Sequence, residues 1–335
     1  MSDELPPVQT TGIGSWPGTD VVDAIKITFA ECPDLPYLPE LPSRGSHAQL
    51  IGRSTAFLAG MAVDLQPAGW RLTDASGRDH RMAISTLRAD LDQLEEQIQG
   101  YAGPVKFAVA GPWTLAAMME RPRGDKVLAD HGARRDLGQS LAEGVAQLIM
   151  EMRRRLPDIE PLVQLDEPLL PRVLAGEIPT ASGFSRHRFV DIPEVSAMIT
   201  QVVERLQDTS ATPTALHCCA ADAPIDLMRR AGASTVLVDL AQLNSRDWDA
   251  IGPAMEAGLR LGAGALPTDR SVTPDDVART VMRPLREIAI DPQIAAGQLI
   301  ITPACGLASF TRDAAIRALR TLRTAAGIVT EQLAD

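Results

Sequence analysis

Thr214-Ala215-Leu216-His217-Cys218-Cys219 reads as a short buried strand that ends in one imidazole and two thiols. Side chains alternate along a strand, so His217 and Cys219 face one side and Cys218 the other. A His and a Cys two residues apart on one face can share a metal ion such as Zn²⁺. The same pattern also suits a core histidine beside two buried thiols. Two later stretches add weight to the metal reading. Residues 235–239 end in the carboxylate of Asp239, and residues 300–306 carry the thiol of Cys305. If the fold gathers these strand ends, His217, Cys219, Asp239 and Cys305 make a Zn²⁺ donor set.

Working outward, strand-like and helix-like stretches alternate along the whole chain. Strands are expected at 8–16, 64–72, 105–110, 161–165, 212–218, 234–240, 259–265 and 298–302. Helical spacing of apolar residues falls at 19–30, 48–62, 85–101, 136–156, 192–206, 223–231, 245–257, 274–290 and 312–333. Eight strands separated by helices argue for a closed parallel (β/α)8 barrel, a TIM barrel. An open doubly wound sheet is the rival, but no G-x-G-x-x-G or Walker motif supports it. In a barrel, Ser15, Asp166, His217, Cys219, Asp239 and Cys305 all fall at the C-terminal ends of strands. Barrel enzymes place their chemistry on that face. The expectation is one catalytic domain over 1–335, with a flexible tail at 1–7. The proline-rich loop 32–43 has few solvating charges and is expected to be ordered near the site.

Composition bounds the function. The chain has 335 residues, 45% hydrophobic and 22% charged, which suits a barrel of roughly 250 residues with insertions. A net charge of −11 and the lack of a basic stripe with interleaved aromatics argue against nucleic acid. The run Arg153-Arg154-Arg155 reads as a solvated helix end. No apolar run is long enough to span a membrane, and the acidic start does not resemble a signal peptide. Four cysteines in so long a chain are no disulfide framework, so reduced thiols and a cytoplasmic location are expected. Two further features invite a use. Gly111-Pro112-Trp113-Thr114 opens a helix whose N–H groups can hold an anion, and Asp166-Glu167 places two acids at a buried strand end.

These residues carry a resemblance. The chain resembles the C-terminal catalytic half of cobalamin-independent methionine synthase and the single-domain core forms of that family. The likeness runs over nearly the whole chain, through Thr11-Gly12-Ile13-Gly14-Ser15-Trp16-Pro17, Gly111-Pro112-Trp113-Thr114-Leu115, Gln164-Leu165-Asp166-Glu167-Pro168, His217-Cys218-Cys219 and Pro303-Ala304-Cys305-Gly306-Leu307. The resemblance implies transfer of a methyl group to the thiol of L-homocysteine to give L-methionine. It implies Zn²⁺ on His217, Cys219, Cys305 and Asp239, the last standing where the family usually carries Glu. It assigns the amino-acid part of homocysteine to Ser15 and Asp166, with Glu167 beside them and Glu40 as a further amino-group contact. In the full-length family a histidine after the seventh strand serves the folate leaving group. Here no histidine follows His217, and Asp269 falls in that loop as the candidate catalytic acid. An ordinary carboxylate is a poor proton donor at neutral pH. The methyl donor is therefore methyltetrahydrofolate or a methyl-corrinoid protein. Two other readings stand beside this one: a related zinc-dependent thiol alkyltransferase with another acceptor, and a non-catalytic zinc or thiol sensor using Cys218 and Cys219.

Overall fold

The computed structural model describes residues 5–335. The expected flexible tail at 1–7 falls in part on residues 1–4, outside the described residues. Among the described residues nine strands run in chain order: β1 (Gln9–Thr10), β2 (Ala62–Gln66), β3 (Gly69–Thr73), β4 (Gly103–Ala110), β5 (Ile159–Asp166), β6 (Thr214–Cys218), β7 (Thr235–Asp239), β8 (Arg260–Leu266) and β9 (Leu299–Pro303). Seven of them form one curled parallel sheet in the order β1-β9-β8-β7-β6-β5-β4. Nearly every position of β5 to β9 is buried, on alternating faces, as a sheet covered on both sides demands.

The eighth place is filled by a segment that the sequence presents as a loop. Residues 36–40 lie between β4 and the continuation of β1, through parallel bridges Tyr37–Lys106 and Ser15–Glu40. The Leu38 amide donates to the Lys106 carbonyl (3.0 Å), and the Lys106 amide to the Pro36 carbonyl (2.9 Å). On the other edge the Glu40 amide donates to the Gly14 carbonyl (3.0 Å), and the Trp16 amide to the Glu40 carbonyl (2.7 Å). Pro36 and Pro39 lack an N–H, but in this register Pro36 needs only to accept. Tyr37, Leu38 and Leu41 are buried beneath it. This segment closes the curl into a barrel.

The expected second strand at 64–72 is therefore corrected. It is the antiparallel hairpin of β2 and β3, a separate two-stranded sheet outside the barrel. Its polar residues explain the placement: Asp64 and Arg71 face each other across the hairpin as a bidentate ion pair. A barrel stave buried on both faces could not carry them. Helices depart from expectation mainly at their ends. The helix expected at 48–62 shortens to Leu50–Thr55, and that at 85–101 runs from Arg78 to Gln97. The stretch 274–290 holds Pro274–Glu287, begun by a reciprocal Thr273–Asp276 capping box. Among the described residues no helix is long and apolar enough to cross a membrane.

Strand parity positions the site. Ile13, Leu162, Ala215 and Leu237 form a small apolar cluster of their own, apart from the main core. Stepping two residues toward the C-terminal end of each strand keeps the same face. Leu162 thus leads to Gln164 and Asp166, Ala215 to His217 and Cys219, and Leu237 to Asp239. The polar groups stand directly above the apolar floor.

Candidate active site

At the C-terminal ends of β5 and β6, His217 Nδ1 lies 2.7 Å from Asp166 Oδ1, and both side chains are buried. Gln164 Nε2 donates to the same oxygen at 2.7 Å. An oxygen accepting from both leaves Nδ1 as the protonated nitrogen of the imidazole. His217 Nε2 is then a lone-pair acceptor, and it is buried with no hydrogen-bond partner. Beside it the sulfurs of Cys219 and Cys305 approach to 3.7 Å as free thiols. Contact with Cys219 draws the Cys305 thiol down to about 6, and the same contact, then burial, pushes Cys219 up. Cys218 points the other way and is fully buried, with its thiol pushed up to about 12 by desolvation.

Ser15 joins this cluster through a close backbone approach. A Cβ on Gly306 would stand 1.9 Å from Ser15 Oγ, so a side chain there would push the hydroxyl from its place. The Leu307 amide donates to the Ser15 carbonyl (2.9 Å), fixing the thiol's strand end against the first stave. Glu40 pairs with Ser15 in the bridge and is buried, with Arg53 Nη1 3.0 Å from its Oε1. Burial raises its carboxyl, Arg53 opposes that, and the nearby charge of Asp166 raises it further. Two buried carboxyls facing one space are relieved by a cation placed between them.

The remaining assigned residues lie apart from this cluster. Glu167, one position past Asp166, faces outward to the helix Pro112–Met118. It accepts the Trp113 amide at 2.9 Å and the Thr114 amide and hydroxyl at 2.7 Å each. The anion expected at that helix start is thus the protein's own carboxylate. Burial pushes it up to about 7 against these three donors. Asp239 accepts the Ala241 amide at 2.9 Å, capping the turn Leu240–Gln242. Asp269 sits on an exposed loop 3.5 Å from Arg270. Asp239, Asp269, Gly264, Arg283 and Ala304 line a cavity of about 600 Å³ that adjoins the Cys305 strand end.

Two residues here escape the sequence reading. Lys106 is fully buried, its Nζ donating to the Ile13 carbonyl (2.9 Å) and to Gln164 Oε1 (2.5 Å). Its signal in the sequence is a lone charge inside the apolar run Val105-Lys106-Phe107-Ala108-Val109. Arg53, which also donates to the Ala108 carbonyl at 2.6 Å, gives no such signal on its short helix.

As a metal site the donors fit in kind: an imidazole with an unpartnered Nε2 and two adjoining thiols are groups that Zn²⁺ binds with release of the thiol protons. The arrangement is a poised thiol pair rather than a finished cage. Among the described residues no three His, Cys, Asp or Glu side chains are already gathered as a metal would hold them.

A parallel barrel with thiols, imidazole and carboxyls at the C-terminal ends of its strands defines a barrel enzyme. Residues 8–328 match the family described as cobalamin-independent synthase, catalytic domain, and the chain belongs to that family. It is by that membership a methyltransferase enzyme, and the sensor reading falls away. No curated protein matches the chain. Among solved structures it is similar to a B12-independent methionine synthase from Shewanella sp. W3-18-1 in complex with selenomethionine. That match is 15% identical with a TM-score of 0.64, covering 98% of this chain and 99% of that chain. A methyltransferase from Methanosarcina mazei is similar at 14% identity and a TM-score of 0.58, covering 100% of this chain and 96% of that one. At such identities these likenesses speak for the fold.

Proposed function

We propose that the chain transfers a methyl group to the thiol of L-homocysteine, giving L-methionine. The observation that carries this reading is the Cys219–Cys305 sulfur pair at 3.7 Å beside a buried His217 Nε2 that has no partner. His217, Cys219 and Cys305 would hold Zn²⁺, with Asp239 at the next strand end as a fourth donor. When bound, Zn²⁺ supplies the Lewis acidity that keeps a thiol deprotonated yet nucleophilic at neutral pH.

The chain's own residues do the rest. Asp166 holds the imidazole through Nδ1, so that Nε2 faces the site unprotonated. Glu40 and Asp166 offer an ammonium group two carboxyls, and Ser15 offers the substrate carboxylate a hydroxyl. Both ends of the amino acid are thereby held while its sulfur faces the methyl donor. The sulfur lone pair forms the new S–CH3 bond as the donor–CH3 bond breaks, and that electron pair leaves with the donor. The cavity lined by Asp239, Asp269 and Arg283 is where the donor's reactive end would enter. With Asp269 open to solvent and no imidazole in that loop, the reading favours a donor whose leaving group needs no proton, such as a methyl-corrinoid protein. Free thiols suit the cytoplasm.

The test is methionine formation from L-homocysteine with labelled methylcobalamin and, separately, with labelled methyltetrahydrofolate. Label in methionine with methylcobalamin, lost in Cys305→Ser, is the expected result. Transfer to another small thiol but not to homocysteine would replace the acceptor, and no transfer to any thiol would overturn the reading.

A further inference from the structure

Beneath the site, four side chains are joined in one line of hydrogen bonds. Lys106 Nζ donates to Gln164 Oε1 (2.5 Å), Gln164 Nε2 to Asp166 Oδ1 (2.7 Å), and that oxygen meets His217 Nδ1 (2.7 Å). The Ile13 carbonyl accepts from both Lys106 Nζ (2.9 Å) and Gln164 Nε2 (2.8 Å), pinning the first two members to the continuation of β1. All four are buried. A charged residue is costly inside a barrel unless it is paired or used. Lys106 has no ion pair within bonding distance among the described residues, and its remaining face lies over the Tyr37 ring, 5.2 Å from the centroid.

We infer that Lys106 and Gln164 are positioning residues that select the imidazole tautomer of His217. The reason lies in which groups can donate and which can accept. An ammonium has donors only, so the end of the Gln164 amide that faces it must be the carbonyl oxygen. The Ile13 carbonyl accepts only, so the other end must be the NH2. That NH2 then spends its second hydrogen on Asp166 Oδ1, which must accept. An accepting oxygen in turn requires a hydrogen on His217 Nδ1, and in the neutral ring that leaves Nε2 bare. An amide alone could sit either way round; the fixed polarity of Lys106 removes the choice. The tautomer is thus set two side chains away from the ring, in the floor of the barrel.

This inference deepens the proposed function but is tested without relying on it. Lys106→Met keeps the length and removes the donor. Gln164→Glu keeps the shape and an acceptor toward Lys106 but removes the NH2 from Asp166. In metal-free, reduced protein labelled with 15N-histidine, the wild type should show the His217 resonance of an Nδ1-protonated ring. Both folded variants, checked by circular dichroism, should lose it for the Nε2–H form or a mixture. Zn²⁺ affinity by chelator competition should fall about 10- to 100-fold in each, the range seen when such outer partners are lost. The double variant should be no worse than the weaker single one, because the line is broken once in either case. An unchanged tautomer in both folded variants overturns the inference. Wild type with the Nδ1–H ring but no Zn²⁺ binding would keep the inference and overturn the metal reading instead.

Discussion

Asp239 stands at the strand end from which a fourth metal donor would come, yet its carboxylate is engaged in capping the turn that follows. Asp239→Ala should therefore cost about 1 kcal/mol of stability, the usual loss of a cap, while Asp239→Asn should stay near wild type in urea unfolding. Lys106 makes the pH-sensitive counterpart. Burial holds its ammonium down to about 8, against an ordinary value of 10.5, although Asp166 and Glu40 oppose the shift. Between those two values the unfolded chain keeps the proton that the folded chain has released. Stability from this group thus rises as pH climbs from about 8 toward 10.5, and below that window the folded state bears the cost of the buried charge. The wild-type unfolding free energy, compared with Lys106→Met, should improve between pH 7.5 and about 10 by this linkage. A wild-type value that falls or stays constant relative to the variant over that range contradicts it. At this scale much was legible in the sequence. His217, Cys219 and Cys305 announce themselves because thiols and imidazole at strand ends have few structural uses. Lys106 and Arg53 could not be assigned, because a buried cation has meaning only once its partners from distant strands are in place.

Among the elements, the stave at 36–40 decides how the barrel closes and where Glu40 stands. It is anchored from below by Arg53, which bonds Glu40 at 3.0 Å and the Ala108 carbonyl at 2.6 Å. Arg53→Ala would leave a buried carboxyl without its cation and should destabilise the protein by about 3–5 kcal/mol in denaturant unfolding. A loss under about 1 kcal/mol would mean that water or rearrangement replaces the pair. The sequence could not show this stave. Its prolines remove donors, which reads as a loop, and only the register against Gly14 and Lys106 reveals that the remaining donors suffice. The stretch at 64–72 reads as a stave because strand-like sequence marks a strand without saying which sheet it joins. Strands β4 to β9 were placed closely, since runs of apolar residues bounded by turns have no competing fate in a doubly covered sheet.

For the molecule as a whole, the barrel brings together residues nearly three hundred positions apart, and small contacts tie its ends. Arg312 on the last helix (Arg312–Ala334) makes a bidentate pair with Asp23 on the first (Val21–Glu31), at 2.6 and 2.7 Å. Both groups are substantially exposed and screened by water, so Arg312→Ala should leave the melting temperature essentially unchanged. The interior is far less forgiving: a Cβ on Gly262 would lie 2.4 Å from Leu237 Cγ, in the apolar floor beneath the site. Gly262→Ala should cost about 1–3 kcal/mol and disturb the strand ends above it, whereas an unchanged melting temperature would mean that the floor is loosely packed. The central claim is that these strand ends activate a thiol. Its most direct measurement is zinc content together with calorimetric titration of L-homocysteine, on reduced, metal-replete wild type and on Cys305→Ser. The account predicts about one zinc per chain, homocysteine binding with proton release, and loss of both in the variant. Wild-type protein that binds no zinc, or binds homocysteine equally well after Cys305→Ser, would contradict it.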